Sequence, residues 1–126
     1  MLHEEELTKA IIGSAIEVHR TIGSGLLESA YQKCVGHQFD LDGIPYRKEL
    51  ELPVVYKGVT AETGYRLDFL VADRVIIEIK ACTDISDIHR AQLLTYLRLS
   101  NKRVGLIFNF HATRLMSRSG YARIVN

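Results

Sequence analysis

Residues 65–81 read Tyr65-Arg66-Leu67-Asp68-Phe69-Leu70-Val71, then Ala72-Asp73-Arg74, then Val75-Ile76-Ile77-Glu78-Ile79-Lys80-Ala81. Folded as a hairpin about the central triplet, the two runs bring Asp68 directly across from Glu78. Alternation then sends Asp68, Glu78 and Lys80 to one face, and Leu67, Phe69, Val71, Val75, Ile77 and Ile79 to the other. Two carboxylates and a lysine meet on a rigid sheet with an apolar back.

That grouping suits a divalent metal. Mg²⁺ and Mn²⁺ are hard cations that take oxygen ligands and usually keep several waters, so one or two carboxylates suffice. Asp68 and Glu78 supply them, and the carbonyl of Ile79 is placed to add a third oxygen. A lysine ammonium is no ligand, but Lys80 can orient an attacking water or neutralise charge developing on a phosphate. The plainer alternative is a cross-strand ion pair, which contributes only about 0.2–1 kcal/mol.

Other segments weigh between the two. Residues 25–31, Gly-Leu-Leu-Glu-Ser-Ala-Tyr, form a G-x-x-E-x-x-Y signature at the start of a helix, and Gln92-Leu-Leu-Thr-Tyr96 forms a Q-x-x-x-Y signature on another. In order, Glu28, Asp68, Glu78-Ile79-Lys80 and Gln92 with Tyr96 resemble the PD-(D/E)XK nuclease superfamily, in its exonuclease-like branch with a Q-x-x-x-Y helix. More closely, the chain resembles the small proteins named for the GxxExxY motif, over roughly residues 7 to 125. Val18-His19-Arg20, Val55-Tyr56-Lys57-Gly58, Ile88-His89 and Leu106-Ile107-Phe108-Asn109-Phe110 extend the likeness. One departure is that no proline precedes Asp68, which follows Arg66-Leu67.

The resemblance implies a restriction-endonuclease-like α/β core, a mixed β-sheet with a three-strand meander flanked by helices. It implies a metal set of Glu28, Asp68, Glu78 and Ile79, with Lys80, Gln92 and Tyr96 completing a catalytic cluster. Glu28 would face that cluster from the second helix. A carboxylate in a first helical turn is, however, favoured by the helix dipole whatever its function. Gln92 and Tyr96, with His89, share one helix face just after the Glu-x-Lys strand, and buried amides and phenols need partners. A polar boundary of an amphipathic helix is the alternative. His19, at the edge of the first apolar stripe, reads as a structural histidine.

At 126 residues the chain is one domain long, 1–126, and can bury a core without staples. Cys34 and Cys82 fall in unrelated elements and read as reduced thiols. The start, with Glu4-Glu5-Glu6, is acidic where a secretory signal would be basic, and no apolar run approaches a membrane span. Cytoplasm is the expected compartment.

A net charge of +1 hides an asymmetry. Residues 1–63 hold six Lys/Arg against ten Asp/Glu, a balance of −4; residues 64–126 hold ten against five, +5. The basic half contains the hairpin, so a phosphate backbone would lie there, with Arg66, Arg90 and Tyr96 as contacts. So few cations predict weak, salt-sensitive binding.

Periodicity predicts a helix from about Glu4 to Arg20 and, after the Gly23-Ser24-Gly25 reversal, a second from about Leu26 to Leu41 with Leu27, Tyr31, Cys34 and Leu41 inward. A strand is expected over Glu49–Tyr56, then the hairpin, then a helix over Ile88–Ser100 carrying Ile88, Gln92, Tyr96 and Leu99 on one face. Val104–Phe110 reads as a central strand and Tyr121–Val125 as an edge. The expected function is metal-dependent hydrolysis of phosphodiesters with Mg²⁺ or Mn²⁺, on DNA more than RNA. A homodimer or protein partner would supply specificity. The alternative is a non-catalytic nucleic-acid-binding or regulatory module that keeps the fold.

Overall fold

The structure, a computed structural model, describes residues 4–126. In chain order the elements are α1 (Glu4–Ile22), α2 (Glu28–Leu41), β1 (Tyr46–Glu51), β2 (Val54–Tyr56), β3 (Val59–Glu62), β4 (Arg66–Val71), β5 (Val75–Lys80), α3 (Asp87–Ser100), β6 (Val104–Asn109) and β7 (Tyr121–Val125). The main sheet runs β1-β4-β5-β6-β7, antiparallel except for the parallel pair β5–β6 that α3 connects. Parallel neighbours need such a crossover, and both become buried. Accordingly every residue of β6, and all of β5 except Lys80, is buried.

Helices α1 and α2 cover one face, where Leu7, Ile11, Tyr31 and Phe39 pack on Phe69, Ile77, Ile79, Leu106 and Phe108. Helix α3 covers the other, setting Leu93, Tyr96 and Leu97 on Leu70, Ile76 and Ile107. It sits close because Gly105 leaves room: a Cβ there would lie 2.8 Å from Leu93 Cδ1. Among the described residues no helix is long and apolar enough to cross a membrane.

The structure corrects three details of the sequence reading. The expected strand over residues 49–56 is two strands. Pro53 offers no ladder donor, so the chain leaves the main sheet after Glu51. It re-forms as β2, paired with β3 in a separate hairpin, before β4 returns beside β1. The meander β1-β4-β5 therefore carries an inserted hairpin. Second, Leu27 and Leu41 are 77% and 66% exposed; α2 begins only at Glu28, and its inner stripe is Tyr31, Val35 and Phe39.

Third, Leu67 does not share the face of Phe69. It packs with Leu52, Leu70 and Ile76 under α3. The register pairs Lys48 with Phe69 and Leu50 with Leu67, and Glu49 between them has φ 54°. A left-handed residue breaks the pleat's alternation. Beyond it Leu50 and Leu67 both turn to the α3 side. The break lies opposite Asp68.

Candidate active site

The hairpin register is the one alternation requires. Val71 pairs with Val75, Leu70 with Ile76 and Phe69 with Ile77, so the next step sets Asp68 across from Glu78. There side-chain bonds take over from the backbone ladder. Asp68 Oδ2 accepts the Ile79 N–H at 2.7 Å, and the Asp68 N–H points at Glu78 Oε2, 3.4 Å away. The second Asp68 oxygen accepts Nε2 of Gln32 on α2 at 3.2 Å. Asp68 is thus held by the neighbouring strand and by α2.

Glu78 is only 7% exposed. Burial pushes its carboxyl well above the ordinary range; the charge of Asp68 adds to this and that of Lys80 opposes it. No ion pair forms between Lys80 and either carboxylate. The cross-strand salt bridge that would make this cluster merely structural is therefore missing among the described residues.

Helix α3 supplies the far wall. Ser86 caps it: its hydroxyl accepts the His89 N–H at 3.3 Å, while the Ser86 N–H donates to His89 Nδ1 at 3.1 Å. That reciprocal box fixes the start of the helix and leaves the proton of a neutral His89 on Nε2. Burial and then the charge of Lys80 lower the His89 pKa, and the charge of Glu28 opposes them. About two helical turns further on, Tyr96 is buried, the pKa of its hydroxyl raised by burial, by Glu78, by Tyr65 and by Asp68, with Gln92 acting the other way. Tyr96 thus lies within the field of Asp68 and Glu78, and Lys80 within that of Glu78.

Glu28 is the exposed first residue of α2. The position of that helix end is set by the tyrosine of the same motif. Tyr31 is fully buried and stacked on Phe110, with ring centroids 4.7 Å apart. Its hydroxyl donates to Gly23 O at 2.7 Å and accepts the Leu26 N–H at 3.0 Å, pinning the reversal, where Gly23 has φ 86°. Among the described residues no three His, Cys, Asp or Glu side chains are gathered closely enough to hold an ion. Glu28 thus stands outside the Asp68–Glu78 pair in this structure. The pair itself fits a hard cation: its donors are all oxygen, and the buried Glu78 carboxyl beside Asp68 ionises more readily when a cation is bound.

Arg66 is exposed at the start of β4. Arg90 lines a depression beside β7 with Arg118 and Arg123, and with Asp84 and Asp87. His19 is structural, its Nε2 2.8 Å from Ala112 O. Cys34 and Cys82 are free thiols, and Cys82 Sγ donates to Asp84 O at 3.2 Å.

Two contributors escaped the sequence reading. Gln32 could have been found, because it lies one helical turn beyond Glu28 at the i, i+4 spacing that shares a face. Asn109 could not, since nothing local marks an asparagine inside an apolar strand as essential. It is fully buried; its Oδ1 accepts the Cys82 N–H at 3.0 Å and its Nδ2 donates to Cys82 O and Ser119 O, each at 2.9 Å. It fixes the chain just past Lys80. Asn109→Ala strands several buried polar groups, so stability is expected to fall by about 2–3 kcal/mol, read from urea unfolding. A loss under about 0.5 kcal/mol would mean water replaces the amide.

Neither the curated proteins nor the solved structures offer a match to this chain. The model of one family, described as the PD-(D/E)XK nuclease superfamily, matches residues 5–124. The five-stranded mixed sheet, flanked by helices and carrying Asp68 and Glu78-Ile79-Lys80 on adjacent strands, is the architecture that match implies. The chain belongs to the PD-(D/E)XK nuclease superfamily.

Proposed function

We propose that this chain is a metal-dependent nuclease that hydrolyses phosphodiester bonds in nucleic acid, DNA in preference to RNA, with Mg²⁺ or Mn²⁺ as cofactor. One observation carries the reading: a buried Glu78 lies against Asp68, with Lys80 close enough to act on it electrostatically yet unpaired. A carboxyl kept from ionising by burial and by a second carboxylate is costly unless it serves chemistry.

Asp68 and Glu78 would hold the ion, with the Ile79 carbonyl and a swing of the exposed Glu28 side chain completing the oxygen set. When bound, the cation stabilises negative charge on the phosphate and on the leaving oxygen. Lys80 orients the attacking water toward phosphorus. Gln32 and the Ile79 N–H keep Asp68 in place, and Tyr96 with Gln92 braces the opposite side. Arg66 and Arg90 are read as phosphate contacts outside the centre. Residues 1–126 are read as one nuclease-fold domain, to which a second copy or a partner protein would add specificity. Two free cysteines suit a reducing compartment such as the cytoplasm.

The test is a cleavage panel of single-stranded, duplex and branched DNA and RNA with Mg²⁺ or Mn²⁺. Wild type is expected to cut at least one DNA substrate, and Asp68→Asn none. Wild type that binds DNA and metal but leaves every substrate whole would make the chain a binding module.

A further inference from the structure

Between the β2–β3 hairpin and α3 runs a groove of about 460 Å³ that Tyr96 lines, with Tyr65 on one wall and Ile88, Gln92 and Leu99 of α3 on the other. Its apolar walls are open: Ile88 is 72% exposed, Tyr65 42% and Leu99 38%. Amphipathic spacing would turn Ile88 and Leu99 inward, yet α3 buries Leu93, Tyr96 and Leu97 instead. The groove's position ties it to the chemistry. The ring of Tyr65 rests against that of Tyr96, centroids 6.0 Å apart at 57°, and Tyr96 lies within the field of Asp68 and Glu78.

We propose that this groove receives an unpaired nucleobase of the strand whose phosphate lies at Asp68 and Glu78; the inference rests on the nuclease reading and names its substrate as single-stranded or locally opened nucleic acid. The lining contains no lysine or arginine, so it does not hold backbone phosphate. Its one charged residue is Glu62, whose Oε1 accepts the N–H groups of Thr63 at 2.8 Å and Gly64 at 2.9 Å. Those bonds hold its carboxyl below the usual range and leave the second oxygen free. A fixed carboxylate repels phosphate and accepts from the exocyclic amino group of a base. Tyr65 offers a face for stacking, which every base can use, and Gln92 can both donate and accept. A stable protein partner would cover roughly 800 Å² on each side, more than a slot of this size offers. A paired base cannot enter, because its edge and both faces are occupied within the duplex.

The experiment measures affinity by fluorescence anisotropy with Ca²⁺ in place of Mg²⁺, checking that each probe stays whole. The probes are a short labelled DNA single strand, the same strand annealed to its complement, and the same strand made abasic throughout. Wild type is expected to bind the intact single strand about tenfold or more tightly than the abasic strand, from stacking alone, and more tightly than the duplex. Tyr65→Phe should keep that preference, and Tyr65→Ala should erase it. Ile88→Glu should erase it as well, from an exposed position that carries little folding load. Equal affinity for intact and abasic strands, or a preference unchanged in both variants, overturns the base site. So does a concentration-dependent dimer that Ile88→Glu dissolves, since the groove would then be a contact between copies. Base preference without cleavage in the substrate panel removes the nuclease reading and leaves the groove standing; cleavage without base preference does the reverse.

Discussion

Lys80→Ala is expected to lower the cleavage rate by about two to four orders of magnitude, the range for a side chain that handles the proton or position of a reacting group. Its fold should survive. Lys80 is half-buried at the last position of β5, and no ion pair depends on it. A change of this kind usually stays within about 0.5 kcal/mol. Metal binding should also survive, because both carboxylates remain. Without the nearby ammonium Glu78 becomes harder to ionise, since Lys80 is the charge that opposes its upward shift. The variant should therefore need somewhat more metal at low pH. Rates at saturating metal, set beside the metal-induced shift in melting temperature, separate these effects. A rate within about fivefold of wild type at saturation would remove Lys80 from the chemistry. Lys80→Arg should restore charge but little rate, because a planar fork does not replace a compact ammonium.

Much of this site was legible because it rests on local rules. Turn position and a period of two were enough to set Asp68 against Glu78, and the ladder confirms that register through Phe69–Ile77. The expected helix over Ile88–Ser100 matches α3 to within one residue, and its cap is Ser86. What escaped depends on contacts distant in sequence. Leu67 obeyed alternation on paper, but Glu49 on another strand adopts φ 54° and the pleat is broken there. Ile88 and Leu99 have the hydropathy of core residues and are left open by where α3 crosses the sheet. Leu27 is exposed because the chain is still extended at the helix N-cap. Tyr31 was visible as half of a motif, but its work, a hydroxyl bridging Gly23 and Leu26, needs the reversal folded around it.

The second large effect is an inverted pH dependence in metal-free protein. The folded state holds the Glu78 proton to a higher pH than the unfolded chain does, because burial and Asp68 raise its pKa well above 4.5. Between that value and the raised one the native state binds more protons, so stability falls as pH rises through the window. Below pH 4.5 both states hold the proton, and this contribution vanishes. Glu78→Gln removes the titration while keeping the shape. With chelator present, the variant should therefore match wild type near pH 4.5 and melt at a higher temperature than wild type near pH 8. A divalent ion reverses the order. At ten times its dissociation constant a bound ion adds about 1.4 kcal/mol, or roughly 5 °C for a chain of this size, and the gain should appear in wild type but shrink in Glu78→Gln and Asp68→Asn. The measurement is a melting series from pH 4.5 to pH 8 with chelator, then with Mn²⁺. If wild type and Glu78→Gln run parallel across that range, Glu78 is not held neutral by its burial. If Mn²⁺ lifts all three proteins equally, the ion binds elsewhere, and the Asp68–Glu78 pair loses its assignment as the metal site.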